Sequence, residues 1–219
     1  MSLVRDHGSA EARIAFLMAL RAKGLRDTAV LRAFETVPRG RFVPRRFADL
    51  ALTDVALPIA CGQSTLAPSL MAEMITALDV RPEHRILEIG TGTGYGSALL
   101  ARLGADVVSV ERYRSLALEA STRLDAQEVA NVRVVHADGW HGHAAGAPYD
   151  RILVDASVEG LPAALADQLG PNGRVVLVER DEGGSVMVRY QRDALQDWTR
   201  DVLRPFSSPP LMAGVAAAL

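Results

Sequence analysis

Residues 85–102 read Arg-Ile-Leu-Glu-Ile-Gly-Thr-Gly-Thr-Gly-Tyr-Gly-Ser-Ala-Leu-Leu-Ala-Arg, and no other stretch constrains the fold as tightly. A short apolar run carries an acid, Glu88, and glycines then alternate at Gly90, Gly92 and Gly94. A helix-like run, Ser97 to Ala101, follows. The pattern predicts a strand, a tight turn and a helix. Without Cβ atoms, such a turn lets backbone N–H groups approach a nucleotide-like ligand closely.

Two ligand classes compete for this turn. Dinucleotide enzymes favour G-x-G-x-x-G. Here Tyr95 stands three residues after Gly92, so that fingerprint fails. The spacing is E-x-G-x-G-x-G, the form found in S-adenosyl-L-methionine-dependent methyltransferases. That ligand has no phosphate, and its methionine end needs only a close backbone. A glycine turn in an ordinary α/β protein fits the same residues, so the turn alone leaves both readings open.

Two further acids favour the methyltransferase. Val107-Val-Ser-Val-Glu111 is a second apolar run, ending about 20 residues past the first glycine. A carboxylate there can accept hydrogen bonds from both ribose hydroxyls. Val132-Arg-Val-Val-His-Ala-Asp138-Gly139 is a third run. Its Asp138 can meet an adenine amino group. Each acid alone is equally a solvated loop charge, but three strand ends in the expected order are a rare coincidence.

The chain has 219 residues, enough for one core, or one domain plus an extension. A net charge of −2 argues against a broad nucleic-acid-binding surface, although arginines cluster at Arg39, Arg41, Arg45 and Arg46. The single Cys61 excludes an intramolecular disulfide and a cysteine metal cluster. His136, His141 and His143 fit no standard zinc spacing and read as loop or surface residues. No apolar segment approaches the roughly 20 residues that span a bilayer. A cytoplasmic enzyme is the expectation.

Helical periodicity covers residues 9–23. Asp27 then reads as the N-cap of a second helix, stopped by Pro38. Residues 38–66 are aperiodic, and a long irregular stretch in a compact domain is often functional. A helix runs from Pro68 to about Leu78. Strands are expected near 85–90, 107–111, 132–136, 150–156 and 174–180, and helices near 95–104, 114–128 and 161–169. This alternation predicts a parallel sheet with helices on both faces and a ligand at the strands' carboxyl ends. Pro171-Asn172-Gly173 reads as a tight turn into the fifth strand. Residues 185–191 and 197–203 suit antiparallel edge strands, and the Ala-rich tail 213–219 reads as frayed.

Over nearly its whole length the sequence resembles the protein-L-isoaspartate (D-aspartate) O-methyltransferase family. Phe42-Val43-Pro44 is similar to that family's RFVP-type segment. Leu57-Pro-Ile-Ala-Cys-Gly-Gln-Ser64 is similar to its PLPIG-x-GQT segment, which general methyltransferases lack. Leu87 to Tyr95 matches its first cofactor motif. Ala137-Asp-Gly-Trp140 with Ala147-Pro-Tyr-Asp150 is similar to its GDGY…APYD region, and Leu169-Gly-Pro-Asn-Gly-Arg174 to its LKPGGR turn.

The resemblance implies an α/β fold, the Rossmann-like class I S-adenosylmethionine-dependent methyltransferase. Its sheet would be seven-stranded and mostly parallel, with helices on both faces and an N-terminal helical extension. Residues 1–80 would form the extension and substrate-side segment, and 81–219 the cofactor-binding core. The implied activity moves a methyl group from S-adenosyl-L-methionine to the free α-carboxyl of L-isoaspartyl or D-aspartyl residues in damaged proteins, leaving S-adenosyl-L-homocysteine. Isoaspartyl-containing proteins or peptides would be the substrate, with no nucleic acid and no membrane involved. The cofactor residues would be Glu88, Gly90, Thr91, Gly92, Gly94, Glu111, Arg112, Asp138, Gly139 and Ser207. Ser64, Thr65 and Asp155 would serve the acceptor.

Two positions depart from the family pattern. The family reads G-Q-T-I-S-x-P, and Leu66 stands where that active-site serine belongs. Leucine cannot orient a carboxylate, so Ser64 or Thr65 supplies the hydroxyl or the substrate differs. Val154-Asp155-Ala156 replaces Thr-Ala-Ala-type residues, and Asp155 is expected at the fourth strand's end. A carboxylate there repels an isoaspartyl carboxylate or suits an acceptor that must lose a proton; a helix N-cap or structural hydrogen bond is the plainer reading. Three functions stay open: isoaspartyl repair, methylation of another peptide or small molecule, and non-catalytic cofactor binding.

Overall fold

The structure, a computed structural model, describes residues 9–193 and 197–216. The first eight residues of the expected extension and the last three of the expected tail lie outside them. Helix α1 (Ala10–Ala22) is capped by the Ser9 side chain, and α2 (Thr28–Thr36) by Asp27, which accepts from Ala29 and Val30 N–H. Three short 3-10 turns carry the chain through residues 39–62. Helix α3 (Pro68–Leu78) opens on a proline. Its Ser69 N–H, in the first turn and so without an intrahelical acceptor, is satisfied at 2.7 Å by Asp54, a carboxylate from that irregular segment.

From there strand and helix alternate. The elements are β1 (Arg85–Ile89), α4 (Tyr95–Ala101), β2 (Asp106–Glu111), α5 (Arg114–Ala126), β3 (Val132–His136), β4 (Tyr149–Val158), α6 (Ala163–Ala166), β5 (Leu169–Asp181), β6 (Gly184–Arg192) and β7 (Trp198–Pro205). The seven strands form one sheet in the order β3-β2-β1-β4-β5-β6-β7. Strands β1 to β5 pair in parallel, and β5-β6 and β6-β7 are antiparallel. Strand order reverses between β1 and β4, and a ligand crevice opens at such a point beyond the carboxyl ends.

Alternating side chains divide the core. Ile86, Val107, Leu153 and Val176 face α1 to α4 and Leu124 of α5. Leu87, Val108, Ile152 and Val175 face the other side, covered by Leu165 of α6 and by loops. One cluster therefore joins the N-terminal helices to the sheet.

Some boundaries differ from expectation. The helix expected over 161–169 is the single turn 163–166, because Pro162 is extended as its N-cap and β5 already starts at Leu169. The Pro171-Asn172-Gly173 turn is an irregularity inside β5, with Asn172 left-handed at φ 57°, and not a turn ahead of the strand. Of the two strands expected at an edge, only β7 lies at one; β6 lies between β5 and β7. Tail residues 213–216 are tied down, not frayed: Gly214 N–H donates to Asp138 at 2.7 Å and Ala216 N–H to the Arg112 carbonyl at 3.1 Å.

Arg39 is no member of a surface arginine cluster. It is 2% exposed, and its guanidinium faces the Tyr95 ring at 6.0 Å. Its forked donors reach the carbonyls of Ala51 (3.3 Å), Thr53 (2.9 Å) and Val55 (2.9 Å), and Thr65 Oγ1 at 3.5 Å. Loop carbonyls with no strand partner are thus satisfied by one side chain. Arg39→Ala should lower stability by about 1.5–3 kcal/mol, the range for hydrogen bonds to charged groups. Urea unfolding checks this, and a loss within experimental error would mean the loop holds itself.

Candidate active site

The carboxyl ends of β1, β2 and β4 meet the 59–67 segment and the C-terminal residues 206–212 around one cavity of ≈ 300 Å³. The glycine turn forms its floor. Gly90 has φ +100°, and an added Cβ would sit 3.3 Å from the Asp155 carbonyl oxygen. A side chain there would be both strained and crowded. A Cβ at Gly92 would lie 3.6 Å from Ile59, so the irregular segment packs directly on the turn. Glu111 ends β2 and accepts from Gly92 N–H and Tyr113 N–H, both at 2.9 Å. A carboxylate has about four lone-pair sites, so two remain for a ligand.

Of the residues singled out from sequence, Ser64, Thr65, Gly90, Gly92, Glu111, Arg112, Gly139, Asp155 and Ser207 line this cavity together. The others do not. Gly94, at φ +87°, starts α4 and faces Ala120 of α5, so its small size serves helix packing. Thr91 turns its hydroxyl inward to Ser109 at 2.6 Å. Asp138 gives its carboxylate to Trp140 N–H at 2.9 Å and to Gly214 N–H, leaving Gly139 as the wall.

Glu88 is buried beneath the turn, and its carboxyl accepts from Ser97 and Ser109 hydroxyls. It borders only a small neighbouring cavity of ≈ 30 Å³, which Asp155 also touches. Burial outweighs the two hydroxyls and raises its pKa to about 7.

Asp155 is part of β4 and no helix cap, and its carboxyl has no hydrogen-bond partner among the described residues. Burial, then the Glu111 charge, raises its pKa to about 7. The Ser64 hydroxyl is likewise without a partner among the described residues. Thr65 Oγ1 accepts from Leu57 N–H at 3.1 Å and from Arg39, which leaves its proton for donation. Leu66 presents only an apolar wall and packs partly into the main core.

Sequence reasoning missed Ser208, whose buried Oγ has no partner among the described residues and which lines the cavity. It also missed the closing strap. Residues 209–211 pair with Ser157, through Ser157 N–H to Pro209 O at 2.7 Å and Leu211 N–H to Ser157 O at 2.8 Å. Adjacency to Ser207 was the signal for Ser208; the strap's backbone contacts leave none.

The model of the protein-L-isoaspartate(D-aspartate) O-methyltransferase family matches residues 11–204. The chain belongs to this family. It is 44% identical over 220 residues to a Xanthobacter autotrophicus protein-L-isoaspartate O-methyltransferase, covering 100% of both chains. An Azorhizobium caulinodans protein of the same name is 45% identical, over 94% of this chain and 95% of that one. A solved protein-L-isoaspartate O-methyltransferase superposes with a TM-score of 0.81 at 25% identity, over 93% of this chain and 67% of its own. A Plasmodium falciparum structure carrying the family's name, which contains S-adenosyl-L-homocysteine, has the same fold (TM-score 0.77, 20% identity, 90% and 97% coverage).

Glu88 makes stability pH-dependent. Its folded pKa is raised from the ordinary value of 4.5 to about 7. Stability from burying the neutral acid is full below pH 4.5 and lost as pH rises through 7. Glu88→Gln stays neutral, so its stability relative to the natural protein should rise between pH 5 and pH 8 by on the order of 1–3 kcal/mol. Thermal unfolding at both pH values measures the gap, and a gap independent of pH would place an ionised carboxylate in the core.

Proposed function

We propose that the chain is a protein-L-isoaspartate O-methyltransferase that uses S-adenosyl-L-methionine to esterify the free α-carboxyl of isoaspartyl or D-aspartyl residues in damaged proteins. One observation carries the reading. The segment that separates this family from general methyltransferases, 57–68, packs on the glycine turn and shares its cavity. Membership of the family, over almost the full length of curated relatives, supports it.

The cavity suits the cofactor. Gly90 and Gly92 leave bare backbone for the methionine end, Glu111 keeps acceptor capacity for the ribose diol, and Gly139 has no room for a side chain, since a Cβ there would sit 2.5 Å from Ile89. Ile89, Leu116, Leu211 and Met212 provide apolar walls for an adenine ring. Arg112, Ser207 and Ser208 add polar contacts at the same wall. When bound, the cofactor supplies a methyl group on a sulfonium that an oxygen nucleophile can displace.

The chain's part is mostly positioning. An acceptor carboxylate is ionised at neutral pH and needs no strong base. Ser64 and Thr65 hydroxyls orient it, and the apolar Leu66 wall with the 206–212 strap excludes water. Thr65 takes on the role closed to Leu66, because the protein already fills its acceptor sites and leaves a donor. The cytoplasmic setting expected from the sequence belongs to the same proposal.

Transfer from labelled S-adenosyl-L-methionine to a synthetic isoaspartyl peptide, with its aspartyl twin as control, tests the function. Selective, base-labile labelling of the isoaspartyl peptide is expected. Cofactor binding without labelling of that peptide would overturn the assignment.

A further inference from the structure

Any anion entering the acceptor side of the cavity meets an electrostatic problem. Asp155 and Glu111 both line it, and Glu88 stands just behind Asp155. Residues 63–67 and 206–212 bring no charged side chain to face them. Arg112 and Tyr113 are the other titratable lining groups, and they sit on the Glu111 side at the end of β2. Among the causes acting on Asp155, burial and Glu111 both favour the neutral acid, and no cation opposes them. The cofactor's sulfonium and the acceptor's carboxylate bring opposite charges, so together they leave this imbalance in place.

Asp155 also differs from its neighbours in having no hydrogen bond. Glu111 is held by two N–H groups, and Glu88 by two hydroxyls. Among the described residues, neither a donor nor a cation meets the Asp155 carboxyl, which lines the cavity. An unpaired carboxylate beside Glu111 on the wall of this cavity is unfavourable, whereas a neutral carboxylic acid offers one O–H donor.

We propose that Asp155 works as a protonated acid, donating its O–H to the acceptor carboxylate and so setting both the anion preference and the pH range of methyl transfer. The inference rests on the isoaspartyl reading above. The proton stays on Asp155 or is shared within a carboxyl pair, as two facing carboxyls share one proton. Ester formation removes the acceptor's charge, and Asp155 ends as it began, neutral. Ionised, it would repel the acceptor instead. Its raised pKa of about 7 puts the change within the working range. The acidic form is populated below that value, so kcat/KM should fall as pH rises through it.

The test compares the natural enzyme with Asp155→Asn and Asp155→Leu on the isoaspartyl peptide between pH 5.5 and 8.5. S-adenosyl-L-homocysteine binding and thermal unfolding are measured on each protein. The natural enzyme should lose about tenfold in kcat/KM per pH unit above about 7. Asp155→Asn keeps an N–H donor and should abolish that limb while retaining turnover. Asp155→Leu removes charge and donor together and should raise KM at least tenfold below pH 7, the gap to the natural enzyme closing above it, with cofactor affinity unchanged. Equal gains from both variants would show simple repulsion and overturn the donor role. An Asp155→Asn profile that still falls at pH 7 would assign the titration to another group and overturn it too. Absence of labelling by the natural enzyme at any pH would instead overturn the isoaspartyl reading, and this inference with it.

Discussion

A buried guanidinium holds the irregular loop that walls the cavity. The parallel sheet delivers Gly90, Glu111 and Asp155 to one edge by topology alone, but residues 51–66 hold no α-helix or sheet strand, only the short turn at Ala60–Gly62. Arg39 substitutes for that missing regularity. Its planar fork binds successive carbonyls of the loop and reaches Thr65, while the ring of Tyr95, from the helix after the glycine turn, lies against it. Lysine, a single compact ammonium, cannot span those acceptors. The same side chain therefore ties the acceptor loop to the helix that begins at the cofactor turn. Preorganisation of this kind is what a positioning enzyme requires.

Three carboxyls define the electrostatics of the site, and their environments separate their roles. Glu111 is fixed by backbone N–H groups at the cavity wall. Glu88 is sealed below the turn on hydroxyls. Asp155 faces the cavity unbonded. On the proposed reading, identical chemistry serves ligand binding, turn support and acceptor recognition, according to what each carboxyl touches.

Much of this was legible in the chain because it is written locally. The alternation of apolar strands with helices, the Asp27 cap and the proline that opens α3 depend on neighbours in sequence. So do the acids at successive strand ends, which topology then brings to one crevice. What sequence reading misplaces depends on distant partners. Arg39 lies among other arginines and looks like a surface charge, yet its acceptors are backbone carbonyls 12 to 16 residues away, which no side-chain pattern reveals. The tail reads as frayed because its Ala-rich run with one Gly has no periodicity. Its anchors are N–H groups on Asp138 and on the Arg112 carbonyl, far back along the chain. Glu88 sits in the right motif but points beneath the turn, a matter of which face of β1 it occupies.

On the proposed reading, Arg39 presents a ready-made acceptor loop to the cofactor turn. A crystal structure of the chain with S-adenosyl-L-homocysteine and an isoaspartyl peptide tests it most directly, compared with the free protein. The account predicts that Arg39 keeps the same carbonyl partners in both states. It also predicts the ribose on Glu111 and the peptide's free α-carboxyl against Ser64, Thr65 and Asp155. A loop that refolds around the peptide and releases the guanidinium, or a carboxyl bound away from residues 64–66, would contradict it.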